Sequence, residues 1–400
     1  MIGDITAAEW RGFTDPETGR RVTQLTSAKA NSYPLYYFVS SFTSDARYLV
    51  FHSERSGLVQ LYRLDLESGE IGQLTEGRTR DAGWAIWCEW HLDGIYNHLS
   101  AINPKTDEVY YFEGDEIRSS HVPSFANRLL AKLPPGRMPI GQSAVSPDGS
   151  LFGFVHVDAA NYVALLTERE NRIKAGLPVW GTQHHRVFRN AVPTALALVE
   201  TATGAIRTVI ETDYHFHHVL FADDQTILVN HPPEVPGMWT IGVGGGPVTH
   251  VRPADAAGAH NAAVVHQVIT NGGIVYEAVD RDAAGNDTTY FGKYDPATGS
   301  FFEHRIPLDG YMHAGLDPAG KFDFIERAGG GHELWSLNPP DGPEQPRKPA
   351  LLYRLRSPAH DDQRQHAHPF LSPDRQRLFF GDWSEDGYAQ VHYMDMAGLT

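Results

Sequence analysis

A polar turn leading into a β-rich run recurs seven times along these 400 residues, and this repeat constrains the fold more than any other feature. It appears as FTSDARYLVF (42–51), NPKTDEVYYF (103–112), SPDGSLFGFV (146–155), ADDQTILV (222–229), TNGGIVYEAV (270–279), DPAGKFDFI (317–325) and SPDRQRLFF (372–380). The first copy continues through a Ser-Gly turn into LVQLYRLDL and then, after DLESG (65–69), into EIGQLT; that second turn recurs as ETATG (200–204) and DPATG (295–299). Such spacing of strands and turns belongs to a repeat array. It predicts an all-β, seven-bladed β-propeller occupying 1–400 as one domain. The last copy lacks a fourth strand, whereas DPETGRRVTQLT (15–26) repeats the turn and outer strand of the first copy. An N-terminal strand near 20–26 is therefore expected to complete the last blade and close the ring, which removes exposed sheet edges. Two separate β-sandwiches would leave that half-repeat unexplained. Residues 156–194 interrupt the third repeat as an insertion, partly helical in character.

Composition narrows the chemistry. One cysteine, Cys88, excludes an internal disulfide and a cysteine zinc cluster, so any metal here takes nitrogen and oxygen ligands. A net charge of −16 without clustered Lys or Arg argues against a nucleic-acid partner, and an anionic substrate would need local positive charge. The N-terminus lacks a basic segment followed by an apolar one, and no run is apolar enough to span a membrane, which points to a cytoplasmic protein.

The repeat also sorts the 21 histidines. About six positions before each inner turn, at the start of the innermost strand, stand Val39, His98, Gln142, His218, His266, His313 and His368. Equivalent positions of a propeller surround its axis, so these side chains are expected to converge on one funnel. The seventh position lies in Gln363-Arg364-Gln365-His366-Ala367-His368-Pro369, where Gln363, His366 and His368 form a metal-capable cluster. His266 is expected to supply a third imidazole. His98 and His313 share the register and are expected at the substrate. In YHFHHVLFADD only His218, not His215 or His217, has the ring position. Arg186 and Arg189, beside His184 and His185 in the insertion, are the expected partners of a substrate carboxylate.

Neutral imidazoles and an amide leave the charge of a bound ion largely uncompensated. Such an ion suits capture of a substrate carboxylate, which acidifies the proton on the adjacent carbon. A histidine outside the ligand set, His218, would remove that proton. The combination predicts β-elimination from a uronic acid, an anionic oligosaccharide being the substrate. Metal-assisted hydrolysis uses the same ligands and remains an alternative. Paired carboxylates for glycoside hydrolysis are lacking at the ring positions, and no Gly-x-Ser-x-Gly follows a strand. A non-catalytic propeller of the TolB type, binding a glycan or a protein, is the other alternative.

Over its whole length the chain resembles the oligogalacturonate lyases. The likeness runs from WRGFTDPETGRRVTQLT through FTSDARYLVFHSERSG and is most specific in QRQHAHPFLSP, similar to that family's Gln-x-x-His-x-His-Pro segment. It implies a seven-bladed propeller that cleaves short uronate chains, a bound manganese ion, Gln363, His366 and His368 as ligands with His266 as the remaining one, and His218 as base. Two departures concern substrate contacts. Tyr33-Pro34 stands where a histidine-rich approach to the aromatic residues is expected, and NAVPTALALVETATG lacks an expected arginine, for which Arg186 or Arg189 would substitute.

Overall fold

The computed structural model describes residues 1–82, 91–178, 192–230, 237–252, 263–270, 273–281, 287–306, 311–316, 323–327, 332–337, 349–356 and 363–396. Their strands fall into seven antiparallel sheets of four or five strands, each built from consecutive segments in the manner of a β-propeller. The repeated runs identified in the sequence form the second strands: Tyr48–Ser53, Glu108–Glu113, Leu151–Asp158, Thr226–Asn230, Gly273–Arg281, Asp323–Arg327 and Arg377–Trp383. Several are buried without alternation, as in YLVFHS, where all six residues are buried. A strand covered on both faces by neighbouring sheets reads that way. Phe42, Phe51 and Tyr62 of the first sheet share a core with Phe370, Phe379 and Val391 of the last, and Tyr110 and Phe112 stack against Phe152 and Phe154 between the second and third. Each such ring removed from water contributes about 1.5–3 kcal/mol.

The N-terminal segment joins both ends of the chain. Arg21–Gln24 pairs with Ala389–Asp395, aligning Val22 with Met394, Thr23 with Tyr393 and Gln24 with His392. Arg11–Thr14 adds a fifth strand beyond it, and Ile5–Thr6 lies on the outer edge of the first sheet against Ile71–Gln73. The turns that announced these strands have a common mechanism. The carboxylates of Asp15, Asp65 and Asp295 accept hydrogen bonds from backbone N–H groups two or three residues on, at 2.8–3.2 Å.

The inner strands are bent where the ring positions occur. Pairing with the second strand shifts register between Ile140 and Ala144, between Val265 and Val268, and between Tyr311 and His313. His98, His266 and His368 adopt left-handed backbone, with φ of 59°, 50° and 40°. A bulge re-aims the side chain it carries, and strained residues of this kind collect at functional sites. Gly141 serves the same region: its φ is 68°, and a Cβ there would stand 2.2 Å from the carbonyl oxygen of His217.

The insertion lies between the second and third strands of the third sheet. It begins with the helix Ala159–Lys174, whose N-cap Asp158 accepts from the N–H of Asn161 at 2.9 Å and which buries Tyr162 and Leu166. Arg186, Arg189, His184 and His185 lie outside the described residues. Among the described residues no helix is long and apolar enough to cross a membrane.

Candidate metal centre

His366 and His368 reach the centre because the loop before Phe370–Leu371 folds against its own sheet. The N–H of Gly381 donates to the carbonyl of Ala367 at 2.8 Å, and a Cβ on Gly381 would come within 2.8 Å of the carbonyl oxygen of His366. The short 3-10 turn Gln363–Gln365 precedes them. His313 arrives from the bulged inner strand of the sixth sheet, Tyr311–Leu316.

Among the described residues, donor atoms of His313, His366 and His368 all lie within 4.8 Å of one another, and all three side chains are buried. Nδ1 of His366 is 3.1 Å from Nδ1 of His313, and Nε2 of His368 is 3.0 Å from Oε1 of Gln363. Three buried imidazoles with donor atoms within 4.8 Å of one another, and an amide oxygen beside them, make a donor set that suits a divalent metal.

A carboxylate that the sequence reading did not single out stands behind this group. Glu326 is fully buried, with Oε2 at 3.0 Å from Nδ1 of His313 and Oε1 at 2.6 Å from Nε2 of His332 and 3.5 Å from Nδ1 of His366. Burial alone would raise its pKa, but the imidazoles of His366, His313 and His332 outweigh burial and hold it well below the usual carboxylate range. A buried anion wrapped in imidazoles favours a cation beside it and fixes which ring nitrogens are free to ligate. The charge of an ion bound here is thus partly balanced one layer out, contrary to the expectation of an almost uncompensated site. An acidic residue inside an apolar second strand, as in FDFIERA, is the signal that would have found Glu326.

His266 is not a member of the group. Its ring centroid is 4.7 Å from that of His313, and its Nδ1 is 2.7 Å from Oε2 of Glu277. Burial pushes Glu277 well above the usual carboxylate range and His266 well below the usual imidazole range. His313, expected at the substrate, is the imidazole grouped with His366 and His368, where His266 was expected. Adjacent sheets explain the exchange, since the sixth lies next to the seventh in chain order while the fifth is one further away.

His218 opens the inner strand His218–Phe221 of the fourth sheet, with its ring centroid 6.4 Å from that of His266. Burial lowers its pKa to about 3, with Gln267 acting in the opposite direction. It is therefore unprotonated at neutral pH and able to accept a proton. His98 lies 6.1 Å from His368, ring to ring, and packs on Tyr33, whose hydroxyl donates to Oδ1 of Asn97 at 2.7 Å. Gln142 is buried, and its N–H donates to the carbonyl of His217 at 2.8 Å. At the ring position of the first sheet, Val39 is displaced in importance by the turn before it. Tyr36 stands 4.9 Å from His368 and 5.7 Å from His218, and Tyr37 stacks on His368 at 5.6 Å and 25°.

Comparison with solved structures matches the fold along the entire chain. An oligogalacturonate lyase from Vibrio parahaemolyticus superposes with a TM-score of 0.77 at 17% identity, covering 100% of both chains. A second, described as an oligogalacturonate lyase in complex with manganese, superposes with a TM-score of 0.79 at 18% identity, covering 100% of this chain and 99% of the other. This is the fold of the oligogalacturonate lyases. No family model matches the sequence, and no curated protein matches it.

Proposed function

We propose that the protein is a polysaccharide lyase that cleaves oligogalacturonate or a related uronate oligosaccharide by metal-assisted β-elimination. The observation that carries this reading is the buried His313–His366–His368 group with Gln363 beside it, within a fold shared with oligogalacturonate lyases. The seven sheets are read as seven blades of one ring, with Arg21–Gln24 completing the last. His313, His366, His368 and Gln363 would hold a divalent ion, with manganese as the first choice because of the manganese-bound neighbour.

When bound, the ion supplies Lewis acidity that makes the proton beside the substrate carboxylate easier to remove. His218, neutral through burial, accepts the C5 proton; the C5–H electron pair forms the C4–C5 double bond, and the glycosidic oxygen leaves C4 with the bonding pair and takes a proton from water. So low a basicity means that His218 depends on that acidification. Glu326 keeps the imidazoles of His313 and His366 oriented.

Trigalacturonate with manganese separates this chemistry from hydrolysis. Elimination creates a 4,5-unsaturated uronate that absorbs in the near ultraviolet. New reducing ends without that absorbance would show metal-assisted hydrolysis in its place.

A further inference from the structure

Tyr37 sits in a turn before the second strand of the first sheet, yet its ring lies among histidines of three other sheets. Its centroid is 5.6 Å from His368, 5.5 Å from His313 and 6.1 Å from His266. The residue is 6% exposed, and its hydroxyl, which has that of Tyr36 nearby, meets no atom of the described residues within strict hydrogen-bond geometry. A phenol buried without a partner is costly, and such groups are retained where a ligand completes them. The metal-capable group lies directly against its ring.

Resting on the lyase reading, we infer that Tyr37 is a substrate-binding residue whose hydroxyl donates a hydrogen bond to a uronate carboxylate oxygen presented to the His313–His366–His368 group. A donor at this point strengthens its bond as negative charge builds on the carboxylate during removal of the neighbouring proton. It thereby favours the transition state over the bound substrate.

The full chain, loaded with manganese, tests this through Tyr37→Phe, which keeps the ring and removes only the hydroxyl. Monogalacturonate cannot be cleaved and serves as the binding probe in calorimetry. The variant is expected to bind it about tenfold more weakly and to turn over trigalacturonate about 10–100-fold more slowly, as for a lost hydrogen bond to a charged group. Manganese uptake should be unchanged and the thermal midpoint equal to or above that of wild type; a hydroxyl with a purely structural role would lower the midpoint. Binding and turnover at wild-type levels in Tyr37→Phe would overturn the inference, as would a wild-type protein that binds no uronate. A wild type that binds monogalacturonate through Tyr37 but forms no unsaturated product would instead remove the lyase reading and leave Tyr37 as a binding residue.

Discussion

His313 and Glu326 are partners in register on adjacent strands of the sixth sheet, with Nδ1 of the imidazole 3.0 Å from the carboxylate. A backbone ladder thus fixes the distance between a metal-capable ring and the anion that orients it. Glu326→Gln keeps the size and removes the charge, and metal affinity should fall about 10–100-fold. Titration calorimetry with manganese checks this; an unchanged affinity would deny Glu326 its orienting role.

The two candidates for the third imidazole separate cleanly. His313→Ala should lose bound manganese, whereas His266→Ala should retain it, because only His313 is grouped with His366 and His368. Metal content after dialysis measures the difference. Retention by the first variant and loss by the second would restore His266 to the ligand set.

His218→Ala should bind metal normally and lose about 10²–10⁴-fold in turnover, the usual contribution of a general base. Full activity in that variant would assign the proton transfer to another group.

Gly141→Ala places a methyl 2.2 Å from the carbonyl of His217 on left-handed backbone, so destabilisation of about 2 kcal/mol or more is expected. The clash falls one residue from His218, so activity should drop further than stability alone predicts. A variant with wild-type melting temperature and turnover would contradict the close approach of these two segments.

Much of this arrangement was legible in the sequence. The repeated turns located the second strands of the seven sheets, and the spare half-repeat at 15–26 anticipated the pairing of Val22 with Met394. The ring-position histidines His98, His218, His266, His313 and His368 lie near one another, and bulges and left-handed residues occur at these points of the inner strands. Three features were hidden for physical reasons. Glu326 and Glu277 are single acids in buried strands, and only strand pairing reveals the imidazoles they face. His313 and His266 share one register, so spacing could not choose between them. Tyr36 and Tyr37 reach the histidines from a turn, where neither strand nor helix periodicity applies.

Stability should fall on acidification even without metal. Burial lowers the pKa of His52 from 6.5 to about 4, so between those values the unfolded chain binds a proton that the folded one refuses. Its contribution is complete above pH 6.5 and is lost as pH falls toward 4, amounting to roughly 3 kcal/mol. Denaturant midpoints in chelator at pH 7.5 and pH 5 measure the loss, which should shrink in His52→Gln. An equal loss in both proteins would exclude His52 as its source.

The most direct measurement follows the near-ultraviolet absorbance of trigalacturonate mixed with chelator-treated protein as manganese is added back, in wild type and in His368→Ala. Absorbance should be flat without metal, rise with manganese to saturation in wild type, and stay flat in the variant. A rise at the same rate in the presence of chelator, or in His368→Ala, would contradict a metal-dependent lyase built on these histidines.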